Sequence, residues 1–263
     1  MLKNLNVPLA LLFGVSAFAQ PMPTLDCNHR GYQNRSSFCE MREQSVAPGS
    51  ILSVDAGPNG GISINGWDRS DILVRSQVNT YAPTDGEARN LALQVFIQAT
   101  GSDIRANGPA RDKEHQWAVS YEIFVPSRSS INLATENGGV SISDVTGNLE
   151  FKTVNGGLNL RRVGGYVHGS TTNGGVTIEL AGDRWEGQGL EVATTNGGVR
   201  LRVPANYSAQ LEAQTISGGI HATGVAELPA PDQAAHRIST ALGAGGAIVK
   251  VTTTNGGVSV SRI

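Results

Sequence analysis

The sequence predicts an all-β protein, a parallel β-solenoid whose coils of about 18 to 23 residues turn at Asn-Gly-Gly corners. A twelve-residue phrase, apolar-x-apolar-x-Thr-x-Asn/Ser-Gly-Gly-apolar-x-apolar, occurs six times. Nine Gly-Gly pairs occur along the chain, and six of them follow an asparagine. Between the pairs, apolar and polar residues alternate with the period of two that is typical of strands.

The corner positions give the length of the repeat. They are occupied by Asn137, Asn155, Asn173, Asn196, Ser217 and Asn255. The steps between them are 18, 18, 23, 21 and 38 residues, and the last step is about two units. Because Asn-Gly adopts positive φ at little steric cost, it is expected to turn the chain at each corner. The pattern leaves open whether a coil holds two strands or three.

Aligning the copies predicts two inward apolar columns. One is Ile131, Leu149, Val167, Leu190, Leu211 and Val249, and the other is Val140, Leu158, Val176, Val199, Ile220 and Val258. The threonines of the phrase share this parity and are expected to point inward or into a corner and to hydrogen-bond between coils. They are Thr135, Thr153, Thr171, Thr194, Thr215 and Thr253. Outward positions carry the charge ladder Arg161, Glu179 and Arg202, interpreted as a solvated face.

The two ends of the stack are predicted to differ. Residues 49–130 are strand-rich but irregular, and Thr84-x-x-Glu87 resembles a capping box that opens a short helix to about Leu93. This segment is expected to cap the repeat solenoid, residues 131–263. Val258 and Val260 lie just before the end of the chain. The C-terminal coil is therefore expected to be uncovered and to support self-association.

The N-terminal residues predict export. Lys3, an apolar run over residues 7–18 and the pattern Ala17-Phe18-Ala19 are typical of a signal peptide over residues 1–19. The alternative is a buried N-terminal helix. No second apolar stretch of membrane length follows, so no membrane span is expected after signal removal. The expected location is periplasmic, cell-surface or extracellular.

Cysteine content and charge narrow the classes of function. Cys27 and Cys39, in the segment 20–48, are the only cysteines, and in an oxidising compartment they are expected to form one disulfide. A formal charge of -2 gives no basic footprint for nucleic acid. The corners lack the Asp of calcium-binding solenoid repeats, and neither a metal nor a cofactor is implied.

The Thr-x-Asn-Gly-Gly-Val phrases, together with residues 242–260, resemble a bacterial family. They are similar to the adhesin-like β-strand-repeat domains of exported proteins of otherwise unknown function, over roughly residues 50–263. The resemblance implies a β-solenoid with an adhesive or cell-envelope role. For such a protein we expect an envelope or extracellular polysaccharide or protein as the partner. It implies no catalytic residues.

Two tryptophan loops are candidate binding sites. Each joins a tryptophan to charged residues, in Trp67-Asp68-Arg69 and in Asp183-Arg184-Trp185. The second loop falls in the longer interval between Asn173 and Asn196. Loop residues of this kind can contact a partner. The alternative is that each ring folds back over the core.

An outward column offers an alternative, catalytic function. Glu150, His168 and Glu191 occupy equivalent positions on successive coils. Coils are about 4.8 Å apart, so the two carboxylates are expected about 9.6 Å apart with the imidazole between them. This is near the upper limit for inverting glycoside hydrolysis. The main prediction is a non-catalytic exported binding or structural protein, and the alternative is a polysaccharide-acting enzyme.

Overall fold

Strands account for most of residues 25–27, 35–225 and 236–263, the ranges that the computed structural model describes. The predicted signal peptide lies outside them. In chain order the strands are β1 (Ser36–Val46), β2 (Leu52–Asp55), β3 (Ile62–Trp67), β4 (Ile72–Ala82), β5 (Phe96–Ala99), β6 (Asp103–Asn107), β7 (Gln116–Pro126), β8 (Ile131–Thr135), β9 (Val140–Ser143), β10 (Thr146–Thr153), β11 (Leu158–Arg161), β12 (Gly164–Asn173), β13 (Val176–Glu179), β14 (Gly189–Asn196), β15 (Val199–Val203), β16 (Ala209–Ser217), β17 (Ile220–Thr223), β18 (Arg237–Leu242), β19 (Ile248–Asn255) and β20 (Val258–Arg262). Helix α1 spans Asp85–Leu93, and no helix in the described ranges is long and apolar enough to cross a membrane.

The strands form two sheets of ten. Sheet 1 has the order β1-β4-β7-β3-β9-β11-β13-β15-β20-β17, and sheet 2 has the order β18-β16-β19-β14-β12-β10-β8-β2-β6-β5. Pairing within the repeats is parallel, apart from the antiparallel pair of β16 and β18. The predicted all-β, parallel-rich architecture is confirmed.

Each repeat contributes one strand to each sheet, so a coil has two strands. In one coil, β10 of sheet 2 runs through Asn155-Gly156-Gly157 into β11 of sheet 1. Leu149 pairs in register with Ile131 on one side and Val167 on the other, as the predicted inward column requires. The second column is in register in sheet 1. Both columns are buried and form the core between the sheets.

The first glycine of each corner is required by the close approach of neighbouring coils. A Cβ on Gly174 would lie 2.0 Å from the carbonyl oxygen of Gly156, and a Cβ on Gly156 would lie 1.9 Å from that of Gly138. Neither Gly156 nor Gly174 adopts the left-handed φ expected of Asn-Gly, so that expectation is wrong for these corners. The space between stacked carbonyls, rather than a backbone angle, selects glycine there.

Polar ladders connect successive coils at the corners. The threonine column is buried, as predicted. Thr171 Oγ1 donates to the carbonyl oxygen of Gly156 at 2.7 Å. The corner asparagines are exposed and stack on one another: Asn173 Nδ2 donates to Asn155 Oδ1 at 2.7 Å. Because each coil donates to the one before it, these bonds fix the register of the stack.

The last coil of the chain is not the last coil of the stack. Strand β19 lies between β14 and β16, and β20 lies between β15 and β17. Val258 therefore pairs with Val199 on one side and with Ile220 on the other. The expectation of an uncovered C-terminal coil is wrong, and self-association through that coil loses its basis. The outermost strands at this end are β17 and β18.

The N-terminal region adds antiparallel strands and the helix. Strands β1, β4 and β7 pair antiparallel at the edge of sheet 1. The backbone N–H of Glu87 donates to Thr84 Oγ1 at 3.2 Å, which confirms that Thr84 caps the start of α1. The predicted disulfide joins Cys27 to Cys39 and so ties residues 25–27 to β1.

Candidate binding groove

A groove runs across the outer face of sheet 1, next to the corners. Its wall is a row of outward side chains in register on adjacent strands, formed by Ser63, Ser141, Asn159 and Thr177. Its floor includes the second glycine of successive corners, such as Gly157 and Gly175. These glycines carry no side chain to fill the space, and the cavity has a volume of about 850 Å³.

The groove continues toward the C-terminal coils. A second hollow of about 380 Å³ shares Gly175 and Thr177 with the first and is lined by Arg200, Ser259 and His221. The lining residues come from eight neighbouring strands, from β7 to β17. At about 4.8 Å per strand the groove is about 34 Å long. A site of this shape suits an extended ligand.

Two polar atoms along the groove are buried without a hydrogen-bond partner in the described structure. They are Ser141 Oγ and Arg161 Nε. Buried polar atoms in folded proteins are nearly always paired, so these two atoms beside the groove are exceptions. Tyr121 also carries an unpaired hydroxyl, but its side chain is in the core. Burial, and secondarily the charges of Asp55 and Asp103, raise the pKa of Tyr121.

The predicted catalytic column lies on the other sheet, outside the groove. Glu150, His168 and Glu191 occupy paired positions on β10, β12 and β14. His168 Nδ1 is 3.9 Å from Glu191 Oε2, and both side chains are about half exposed. Lys250 on β19 continues the row and donates to Glu191 Oε1 at 2.6 Å. The column is thus a solvated row that ends in an ion pair.

The protonation of Glu191 bears on the catalytic alternative. A hydrogen bond from Lys250 lowers the pKa of Glu191, whereas a general acid needs a raised one. The ion pair between Lys250 and Glu191 therefore contributes its full stability above the ordinary carboxyl pKa. That contribution is lost as the pH falls through the lowered pKa of Glu191.

We expect Lys250→Met to raise the pKa of Glu191 toward its ordinary value, because the substitution removes the bond that favours the carboxylate. NMR titration of the Glu191 side chain measures the shift. Lys152→Met, on the same face but outside this ion pair, is the matched control. A Glu191 pKa that stayed unchanged in the Lys250 variant would contradict the prediction.

The two tryptophan loops differ in exposure. Trp185 is 5% exposed and its Nε1 donates to the carbonyl oxygen of Gly165 at 3.1 Å, which favours the alternative that this ring covers the core. Asp183 and Arg184 pair with each other on the surface.

Trp67 is half-buried and stacks on Phe124 with ring centroids 5.4 Å apart. The guanidinium of Arg69 lies 4.3 Å from the centre of the Trp67 ring, and Asp71 accepts from Arg69, while Asp68 is exposed. The ring is therefore already covered on part of its surface, and neither tryptophan loop reaches the groove on sheet 1.

Sequence reasoning missed the groove residues and one exposed ring. Tyr166 is 41% exposed on the outer face of sheet 2 and stacks on His168 with ring centroids 6.4 Å apart. Only the alternation within β12 could have placed both rings on one face. Ser141, Asn159 and Thr177 had a readable signal, because they follow the second column by one residue in successive coils.

Comparisons with known proteins place the chain in a family. No curated protein matches it. Solved structures that resemble it include a candidate cell adhesion protein from Clostridium sporogenes, at 14% identity and TM-score 0.45, covering 86% of this chain and 100% of the other. A candidate adhesin from Bacteroides fragilis matches at 11% identity and TM-score 0.37, covering 85% of this chain and 97% of the other. A candidate lipid binding protein from Parabacteroides distasonis matches at 10% identity and TM-score 0.32, covering 86% of this chain and 96% of the other. The model of the family described as Toastrack DUF4097 matches residues 59–261, and the chain belongs to that family.

Proposed function

We propose that this protein is an exported, non-catalytic binding protein that holds an extended envelope or extracellular polysaccharide in the groove of sheet 1. The observation that carries the proposal is the groove itself, two adjoining hollows whose lining spans eight strands and includes a polar row. A linear polymer can contact equivalent side chains on successive coils, so each added unit gains similar contacts.

Export is part of the proposal and rests on two observations. The Cys27–Cys39 disulfide is typical of an oxidising compartment. Residues 1–19 have the pattern of a signal peptide. The division into segment 20–48, cap 49–130 and solenoid 131–263 belongs to the same proposal.

A retention assay tests the function. The purified protein is passed over immobilised envelope and plant polysaccharides, and both retention and release of reducing ends are scored. We expect retention without release on at least one polymer. Thr177→Trp fills the groove and should abolish retention, while Ser170→Trp, on the outer face of sheet 2 in the same coil, should leave it intact. Equal retention of the two variants would contradict the proposal.

The catalytic alternative makes the opposite prediction in the same assay. A polysaccharide-acting enzyme that used Glu150, His168 and Glu191 would release reducing ends, and Glu150→Gln would stop the release. His168 and Glu191 are each about half exposed, which counts against this alternative because burial is what raises the pKa of a general acid.

A further inference from the structure

We infer that the ligand of the groove is an acidic polysaccharide whose carboxylates are recognised by Arg161 and Arg200. This inference rests on the proposed function and names the class of ligand. The charge around the groove is opposite in sign to that of the whole chain, whose formal charge is -2.

The described lining of the groove is cationic. Its charged side chains are Arg161 and Arg200, and it contains no aspartate or glutamate. Two glutamates lie on neighbouring positions of sheet 1, and both are engaged. Glu179 accepts from Arg202 at 3.0 Å, and Glu122 is buried in an ion pair with Arg75. A negatively charged ligand therefore meets no unpaired carboxylate along the described lining of the groove.

Arg161 supplies a specific donor. Its side chain lines the groove, and its Nε is buried without a partner in the described structure. A guanidinium presents parallel N–H donors that fit a carboxylate in two hydrogen bonds. Ser141 lies in the same row as Thr177, two strands away, and its Oγ likewise has no hydrogen-bond partner in the described structure. An anionic group bound here would meet a guanidinium that lines the groove and makes no ion pair with the described residues.

The remaining wall favours a sugar polymer over an acidic peptide. Ser63, Asn159 and Thr177 offer hydroxyl and amide groups that exchange hydrogen bonds with sugar hydroxyls. The groove lies on a sheet face, where the backbone of β9, β11 and β13 is already paired on both sides, so a peptide cannot add as a strand. The length of one linked pyranose ring is similar to the spacing of about 4.8 Å between coils.

Calorimetry with polygalacturonate and its fully methyl-esterified form tests the inference. We expect polygalacturonate to bind, and the neutral ester to bind at least about tenfold more weakly, because an ester has no negative charge to pair with the guanidinium. Arg161→Gln should weaken polygalacturonate binding about tenfold. Arg161→Lys should recover part of it. Arg237→Gln, which removes an exposed arginine on β18 of sheet 2 outside the groove lining, should change it little.

The outcomes separate the inference from the proposed function. Equal affinity for the two polymers, no binding of polygalacturonate, or equal effects of Arg161→Gln and Arg237→Gln would each overturn the inference. Tighter binding of poly-glutamate than of polygalacturonate would overturn it in favour of an acidic peptide. In all these cases the proposed function stands if a neutral polymer is retained and Thr177→Trp abolishes the retention, and it fails if no polymer responds to that variant.

Discussion

Replacing Gly174 with alanine is expected to lower the free energy of unfolding by about 3 kcal/mol or more. The added Cβ would lie 2.0 Å from the carbonyl oxygen of Gly156 and 2.5 Å from its carbonyl carbon. Both atoms belong to the backbone of the neighbouring coil. They cannot turn aside as a side chain would, and moving them would break the hydrogen bond from Thr171 to the Gly156 carbonyl.

The adjacent glycine provides a matched control. A Cβ on Gly175 would lie 3.7 Å from the nearest backbone atom, the carbonyl oxygen of Gly198, which is an ordinary contact. Both substitutions reduce the conformational freedom of the unfolded chain equally, so the difference between them isolates the overlap in the folded state. Urea unfolding of the two variants measures that difference. Equal stability of the Gly174 and Gly175 variants would show that coils are not held as closely as described.

Replacing Arg75 with methionine is expected to lower the free energy of unfolding by about 3 to 5 kcal/mol. Arg75 on β4 is ion-paired with Glu122 on β7, whose side chain is only 5% exposed. Without the guanidinium, the Glu122 carboxylate keeps the cost of burial and loses its compensating charge. Glu43 also lies within 3.4 Å of Arg75, but its side chain is 61% exposed and remains solvated.

A double variant tests the cause. Arg75→Met combined with Glu122→Met removes both charges and should recover most of the lost stability, because the buried carboxylate is then gone. Arg184→Met breaks the exposed pair with Asp183 and should leave the stability nearly unchanged, because both side chains are solvated. Chemical denaturation of all three variants supplies the comparison. A double variant no more stable than Arg75→Met alone would show that the loss came from packing rather than from the unpaired charge.

The order of the last coils also has an electrostatic consequence. If the coils stacked in chain order, Glu191 and Glu212 would face each other on adjacent strands of sheet 2. In the structure Lys250 lies between them, in register with both. Like charges directly opposite each other destabilise a sheet, and the inserted lysine replaces that repulsion with alternating charge. Lys250 pairs with Glu191 at 2.6 Å as a result.

Local patterns in the sequence predicted features that depend on one repeat and its immediate neighbours. Alternation placed Leu149 and its equivalents inward, and the parity of Thr171 predicted a buried threonine column. The spacing of Thr84 and Glu87 predicted the start of α1. These features follow from strand and helix periods, which the chain carries at every position.

Other features depend on which coil packs against which. The apolar columns are interchangeable, so periodicity could not place β19 and β20 ahead of β16 and β17 in the stack. Spacing could not reveal that Trp185 turns into the core toward Gly165.

Short repeating patterns were thus enough to predict the all-β, parallel-rich architecture, the residues of its core and the N-cap of α1. The order of the coils, the role of the first corner glycine and the groove with Arg161 in its lining emerged only from the three-dimensional packing. Those depend on distances between segments far apart in the chain, which no local period encodes.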